Sequence, residues 1–111
     1  MLLLSNVMRS GVTSLAKSLS QQLAGEGIRV NNLVPGAINT DRLRGLMLTQ
    51  SERTGVSFEE ISKARAATVP MGRFGEADEF GQAGAFLLSD AATYITGETL
   101  VVDGGAMRTV W

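Results

Sequence analysis

The residue types that this chain lacks restrict the chemistry open to it. Its 111 residues contain no histidine and no cysteine. Ser-His-Asp catalysis, Cys-His catalysis, a disulfide framework and the usual zinc sites are therefore excluded, and we expect no metal centre. Any catalysis must use hydroxyl groups, carboxylates, arginine, lysine or a bound cofactor.

Two glycine-containing segments are candidates for contact with a nucleotide. Gly25-Glu26-Gly27 precedes a predicted strand and has no third glycine at the offset of a dinucleotide fingerprint, so it fails that test. Pro35-Gly36 follows a predicted strand, and ligands of open α/β sheets bind beyond the carboxyl ends of the strands. Pro35 is expected to end the ladder, and Gly36 to let the backbone approach a flat ring closely. The alternative is a simple strand-ending turn.

The first third of the chain predicts a helix followed by a strand. Apolar residues recur every three or four positions over residues 6–24, which is typical of an amphipathic helix: Met8, Val12, Leu15, Leu19 and Leu23. Gly27 suits the left-handed position just past a helix end. The β-branched run of residues 28–34 then predicts a strand.

The middle of the chain predicts a helical excursion above the sheet. Thr40-Asp41 is expected to cap a short helix through Met47, and Ser57 with Glu60 forms a plausible capping box for a helix over residues 58–68. The polar stretch 50–56 between them is expected to be mobile. We interpret residues 41–68 as a substrate lid, since loops at strand ends carry function; the alternative is a mere surface insertion.

The last third predicts a helix over residues 77–88 and a strand over residues 99–102. The order helix, strand, lid, helix, strand indicates an α/β fold with two parallel strands joined by a right-handed crossover. Both strands are apolar on both faces, as strands covered by helices on both sides are. Two strands do not complete such a sheet, so we expect residues 1–111 to be a single partial domain.

Composition excludes several partners. The net charge is −1, and the eight arginines and two lysines are scattered singly, so no nucleic-acid surface is indicated. No apolar run approaches the roughly 18 residues that span a bilayer, and the start of the chain lacks the basic region of a signal peptide. We expect a cytoplasmic protein that contacts neither nucleic acid nor membrane.

Four motifs occur in the order and spacing of one known family. They are residues 27–40 (GIRVNNLVPGAINT), 70–79 (PMGRFGEADE), 89–97 (SDAATYITG) and 101–105 (VVDGG). Together they closely resemble the C-terminal portion of short-chain dehydrogenases/reductases, above all the 3-oxoacyl-acyl-carrier-protein reductases. The resemblance implies the last two parallel strands and flanking helices of a doubly wound Rossmann fold, with the N-terminal dinucleotide-binding half absent.

The resemblance also implies a cofactor, NAD or NADP, and residues that contact it. The Ile38 backbone would meet the nicotinamide carboxamide, and the Thr40 hydroxyl the carboxamide or the pyrophosphate. Pro35 and Gly36 would lie beside the ring. The residue that selects between NAD and NADP follows the second strand of the absent half.

The catalytic pair of the family is replaced here. Ser5 stands at the position of the family's tyrosine and Arg9 at that of its lysine, as in an atypical subgroup. Serine is a poor general acid because its pKa is far higher than that of tyrosine. Arginine can still donate hydrogen bonds to ribose hydroxyls. A helix N-cap is the alternative role of Ser5, and Tyr94 is expected to be a packed or interface aromatic residue.

The leading hypothesis is therefore an oxidoreductase that exchanges hydride between NAD(P) and a small carbonyl or alcohol, or an acyl-thioester substrate. We expect a homo-oligomer (dimer or tetramer) and no turnover by this chain alone, since most cofactor contacts belong to the absent half. Lid residues Leu43, Leu46, Met47, Phe58 and Ile61 would select the substrate or simply pack on the core. The alternatives are a non-enzymatic association module and an inactive gene remnant.

Overall fold

The structure, a computed structural model, describes residues 3–108 except for the side chains of Ser5 and Asn6. Its helices are α1 (Leu3–Leu23), α2 (Asp41–Thr54), α3 (Phe58–Ala67) and α4 (Ala77–Leu88), and its strands are β1 (Asn32–Pro35) and β2 (Thr99–Val102). Short 3-10 turns follow α1 at Ala24–Glu26 and α4 at Asp90–Ala92. The chain divides into a first unit, residues up to 34 and 84–100, and a second unit, residues 35–83 and from 101 onward.

Helix α1 begins earlier than its periodicity predicts. Leu3 and Leu4 are already helical, so Ser5 lies inside the helix, and its alternative role as N-cap is wrong. At the other end, the 3-10 turn is closed by Gly27 at φ 76°, whose N–H donates to the Ala24 carbonyl. The predicted left-handed glycine is confirmed.

The two strands pair in parallel. The N–H of Asn32 donates to the Glu98 carbonyl at 2.8 Å, and that of Gly36 donates to the Val102 carbonyl at 2.9 Å, so the register offset is constant. Successive N–H groups of a strand point to opposite edges, and those of Asn32 and Gly36 point toward β2. An N–H at position 35 would point away from β2, so proline there removes no hydrogen bond from this ladder. Strand β1 ends at Pro35 as predicted, and the Gly36 N–H makes one further bond to β2.

Strand β1 is shorter than the predicted run of residues 28–34. Its partner β2 begins only at Thr99, so the preceding residues bond to a loop instead of a strand. Val30 donates to the Thr96 hydroxyl and accepts from the Gly97 N–H. The β-branched run of residues 28–34 therefore begins before the point at which β2 can pair with it.

Polar side chains of the first unit form hydrogen bonds to the segment between α4 and β2. Arg29 donates to the Leu87 carbonyl at the end of α4 at 2.7 Å. The Asn31 side chain donates to the Ile95 carbonyl and accepts from the Glu98 N–H, both at 3.0 Å. These bonds account for the polar residues inside an otherwise apolar run.

The middle segment is helical where a mobile stretch was expected. Thr40 caps α2 as predicted, but α2 continues to Thr54 and ends at Gly55, which has φ 72°. The Ser51 hydroxyl donates to the Val56 carbonyl and fixes the turn. The capping box of Ser57 and Glu60 at the start of α3 is confirmed.

The bounds predicted for α4 and β2 are confirmed. Within the first unit, a side chain at Gly84 would come within 3.3 Å of the Leu33 side chain, so the glycine allows close packing of helix on strand. The fold is α/β, with parallel strands and flanking helices, as expected for the C-terminal part of a doubly wound Rossmann domain. The described residues include no helix able to cross a membrane.

Candidate functional site

A cleft lies beyond the carboxyl ends of both strands, within the second unit. Its volume is about 80 Å³. The residues that line it come from the segments after β1 and β2 and from the loop before α4: Ala37, Ile38, Met71, Arg73, Gly75, Glu79, Val102, Asp103 and Gly104. This is the end of a parallel sheet at which ligands bind.

Gly36 is required by packing at the base of this site. A Cβ at this position would lie 2.5 Å from the Cα and the Cβ of Asp103. The close approach that we expected between Gly36 and a flat ring is thus already made, in this structure, to the residue that follows β2. Only glycine allows the two strand ends to lie this close together.

The backbone of Ile38 presents an unused donor and an unused acceptor. Ile38 and Gly75 form a parallel bridge, in which the Gly75 N–H donates to the Ala37 carbonyl at 3.0 Å and the Asn39 N–H donates to the Gly75 carbonyl at 2.7 Å. In such a bridge the N–H and C=O of the central residue point away from the partner. No group in the described part of the chain bonds to either group of Ile38.

The loop before α4 is held by an ion pair. Both guanidinium NH2 nitrogens of Arg73 donate to Glu79, at 2.8 and 2.7 Å. Glu79 also accepts from the Glu76 N–H at 2.8 Å, as a carboxylate in the first turn of a helix commonly does. The Glu76 side chain in turn accepts from the Asn39 amide at 3.4 Å.

These contacts shift two pKa values in the cleft wall. The hydrogen bond from Arg73, followed by that from the Glu76 N–H, lowers the pKa of Glu79 to about 2. The same pairing raises the pKa of Arg73 above its ordinary value. Both groups are therefore charged over the whole physiological range.

Asp103 shapes the opposite wall. Its two carboxylate oxygens accept from the backbone N–H groups of Gly105 and Met107, at 2.9 and 2.7 Å. Gly104 has φ 64°, and a Cβ there would lie 2.7 Å from the Val69 side chain. The aspartate and glycines of the VVDGG motif thus form a tight turn beside the cleft.

Thr40 caps a helix through its hydroxyl oxygen, which leaves the hydroxyl proton available. Its Oγ1 accepts from the Leu43 N–H at 3.3 Å and so caps α2. A hydroxyl has one donor and two acceptor positions, so capping does not consume its proton. Thr40 remains exposed and able to donate to a ligand.

The residues at the family's catalytic positions lie in the first unit, on α1. Arg9 is exposed, and its side chain makes no ion pair with any residue that the structure describes. Ser5 is helical, but its side chain lies outside the described residues. Pro35, Gly36, Ile38 and Thr40 all lie in the second unit.

The sequence-based candidates omitted the groups that hold Ile38. Asn39, Arg73, Gly75, Glu76 and Glu79 form this support. One signal was available: Glu79 lies three residues after Glu76 and two after the first residue of α4, the spacing at which a carboxylate bonds the backbone of an N-cap. Its partner Arg73 lies in the same motif of residues 70–79, but the motif does not show that the two side chains pair.

The five apolar residues predicted to face a substrate from residues 41–68 differ in their burial. Met47 and Ile61 are buried within the second unit, whereas Leu46 is exposed. Leu43 and Phe58 are half-buried. Core packing therefore accounts for Met47 and Ile61 but not for the exposed Leu46.

Comparison with known proteins supports a single family. The sequence model of a family described as enoyl-(acyl carrier protein) reductase matches residues 4–107. The chain is 44% identical over 97 residues to the 3-oxoacyl-[acyl-carrier-protein] reductase FabG of Salmonella typhimurium, a match that covers 87% of this chain and 35% of that protein. The chain spans little more than a third of the length of the curated relatives it matches.

Solved structures show the same relationship. A short chain dehydrogenase family protein from Francisella tularensis superimposes with a TM-score of 0.86 at 33% identity, over 90% of this chain and 41% of that one. L-Sorbose reductase from Gluconobacter frateurii, complexed with NADPH and L-sorbose, gives a TM-score of 0.88 at 28% identity, over 95% and 40%. With its four motifs, its parallel strand pair and these matches, the chain belongs to the short-chain dehydrogenase/reductase family.

Proposed function

We propose that the protein carrying this chain is an NAD(P)-dependent oxidoreductase, and that this chain supplies the nicotinamide side of its active site. One observation carries the proposal: beyond the strand ends, the Ile38 backbone offers a donor and an acceptor that nothing in the described residues uses. The names of its relatives agree, since they are reductases and one was solved with NADPH.

The carboxamide of nicotinamide fits this pair of groups. A primary amide has one carbonyl acceptor and an NH2 donor, so it can accept from the Ile38 N–H and donate to the Ile38 carbonyl. Two such bonds fix the rotation of the ring and therefore the face that it presents. When bound, the cofactor supplies hydride chemistry, and the protein supplies orientation.

Other residues contribute to the proposed site. Thr40 donates its hydroxyl proton to the carboxamide or the pyrophosphate, while Pro35 and Gly36 form the bend beside the ring. Arg9 binds ribose hydroxyls, and Ser5 stands where the family's proton donor stands. The cofactor is NAD or NADP.

The substrate is a small carbonyl or alcohol, or an acyl thioester, that approaches the ring beneath residues 41–68. Leu46, Leu48 and Val56 are the large apolar residues of this lid that are exposed. We expect no turnover by the 111-residue chain alone, and measurable NAD(P)H-dependent carbonyl reduction by it would contradict that expectation. The cytoplasmic location, the homo-oligomeric state and the single partial domain remain predictions.

Backbone amide signals test the proposed carboxamide contact. The ¹⁵N-labelled chain is titrated with NADPH or NADH at millimolar concentration, and we expect the Ile38 signal to shift. Ile38→Pro removes the unused N–H together with the isoleucine side chain and should weaken binding at least about fivefold, the effect of one hydrogen bond; because proline has no amide signal, its binding is followed at Asn39. Ile38→Val keeps the N–H and should bind as wild type. No shift at Ile38, or equal binding by Ile38→Pro, would contradict the proposal.

A non-enzymatic association module is the second candidate, and one observation favours it. The apolar stripe of α1 is exposed over its first half: the exposed fractions are 69% for Met8 and 58% for both Val12 and Leu15. Contiguous apolar surface of this kind marks interaction sites. Self-association of the chain without any shift of Ile38 by cofactor would favour this candidate over the oxidoreductase.

A further inference from the structure

The support of Ile38 rests on one residue outside any helix or long strand. Gly75 makes both backbone bonds of the bridge, to Ala37 and to Asn39. Gly75 lies in the loop between Gly72 and α4, and a short isolated bridge is too small to hold its own geometry. Whatever fixes Gly75 therefore also fixes the direction of the Ile38 N–H and C=O.

Arg73 and Glu79 close this loop from both sides of Gly75. The guanidinium and the carboxylate meet through two parallel hydrogen bonds, the geometry that gives an Arg–carboxylate pair its directionality. Arg73 also donates to the Phe74 carbonyl at 3.0 Å, directly before Gly75. Glu79 accepts from the Glu76 N–H at 2.8 Å, directly after it. The pair thus holds the residue on each side of Gly75.

Gly75 and Ile38 are also in close contact through the Ile38 side chain. A Cβ at position 75 would lie 2.9 Å from the Ile38 Cδ1. A second contact runs in parallel, from the Asn39 amide to the Glu76 carboxylate. A displacement of the loop would therefore be transmitted to Ile38 through backbone and side chain together.

We propose that Arg73 and Glu79 are positioning residues for the nicotinamide carboxamide: by closing the loop around Gly75 they hold the Ile38 N–H and C=O in the direction that the carboxamide requires. The role assigned to both residues is exerted through Ile38 and requires no direct contact with the carboxamide. The inference rests on the proposed function, because it assigns a role toward the cofactor of that same site.

The test compares NADPH with its 3-acetylpyridine analogue, in which a methyl group replaces the carboxamide NH2. Binding to the ¹⁵N-labelled chain is followed at Ile38. In the wild type the analogue should bind about fivefold more weakly, because it cannot donate to the Ile38 carbonyl. In Glu79→Gln and Arg73→Met this discrimination should fall to less than about twofold, and Arg73→Lys should recover part of it.

The matched control is Asp78→Asn. It removes the same charge one residue earlier in the same helical turn, from a side chain that makes no ion pair among the residues described. It should retain wild-type discrimination. Amide exchange at Asn39, which bonds to Gly75, should accelerate in Glu79→Gln, while that at Asn32 in the strand ladder should not change.

Each result has one meaning. A wild type that binds neither cofactor, or does not discriminate between the two, overturns the proposed function and this inference with it. A wild type that discriminates, together with a Glu79→Gln variant that discriminates equally, overturns the inference alone. Equal weakening of both ligands in the variants also overturns it, since a purely structural role would lower both affinities together.

Discussion

At the scale of single residues, the site depends on the absence of a side chain at two glycines. A Cβ at Gly36 would lie 2.5 Å from the Cα of Asp103, too close for any side chain, whereas a Cβ at Gly75 would lie 2.9 Å from the end of the flexible Ile38 side chain. The resemblance to the family led us to predict that Gly36 contacts a cofactor. The structure shows that its absent side chain is already needed for the approach of the two strand ends.

A methyl group at Gly36 should therefore destabilise the protein. Gly36→Ala places a Cβ 2.5 Å from two atoms of Asp103, and overpacking of this kind costs about 1–3 kcal/mol of the free energy of unfolding. Urea denaturation followed by circular dichroism measures the change. Gly45→Ala is the control, because nothing lies within 4 Å of its Cβ, and in the interior of α2 alanine should stabilise by about 0.5–1 kcal/mol. A stable Gly36→Ala variant would show that the strand ends separate freely.

At the scale of elements, three local capping features were easier to predict than the length of β1. The capping box at Ser57, the cap at Thr40 and the glycine at 27 each depend on a few neighbouring residues, and all three are confirmed. The start of β1 depends on where a partner 66 residues away begins, as the bond from Asn32 to Glu98 shows. Local sequence holds no information on that limit.

The capping box of α3 should contribute measurably to stability. In Ser57→Ala the Glu60 N–H loses its acceptor, and the loss of such a cap costs about 1 kcal/mol. Ser57→Asp keeps an acceptor at the same position and should lie within a few tenths of a kcal/mol of wild type. Urea midpoints compare the three proteins. Equal losses in both variants would mean that the hydroxyl acts otherwise than as a cap.

The start of α4 should be sensitive to acid. Arg73 and the Glu76 N–H lower the pKa of Glu79 to about 2 from an ordinary 4.5, so its ionised form is favoured in the folded state. Its contribution is fully present above about pH 4.5 and is lost as the pH falls toward 2. Glu79→Gln should therefore be less stable than wild type at pH 7, and the difference should shrink over that range.

Denaturation at pH 7, 4 and 2.5 measures this difference. Because the pair is exposed to solvent, high salt should reduce the difference at pH 7. Asp78→Asn, with no partner in the described part of the chain, should show little of this pH dependence. A gap between Glu79→Gln and wild type that persists unchanged at pH 2.5 would contradict the assigned cause.

At the scale of the whole molecule, the described residues bury few large side chains. The buried apolar residues are Ala16, Met47, Ile61, Val69, Leu87 and Ala92. By contrast, much of the apolar stripe on α1 is exposed, and strands apolar on both faces require cover that two strands do not provide. The same stripe that predicted the helix is therefore an exposed apolar surface, of the kind that marks interaction sites.

A charge in this stripe should reduce self-association. Val12 lies in the middle of the exposed half of α1, and Val12→Lys should shift the chain toward monomer in light scattering coupled to size-exclusion chromatography, because a desolvated ammonium opposes apolar contact. Gln22→Lys adds the same charge at an exposed polar position of the same helix and should leave the association unchanged. Equal oligomeric states in all three proteins would exclude the stripe as the contact.

The sequence by itself determined the family, the α/β class, the bounds of α4 and β2, and the caps, because each depends on neighbouring residues or on motifs at fixed spacing. It also led to the prediction that a cofactor binds at the bend after β1. Only the tertiary structure decided which groups hold that bend. The bridge from Gly75 to Ile38 joins residues 37 positions apart, and the direction of a backbone N–H is set by its partner across space, which no local pattern encodes.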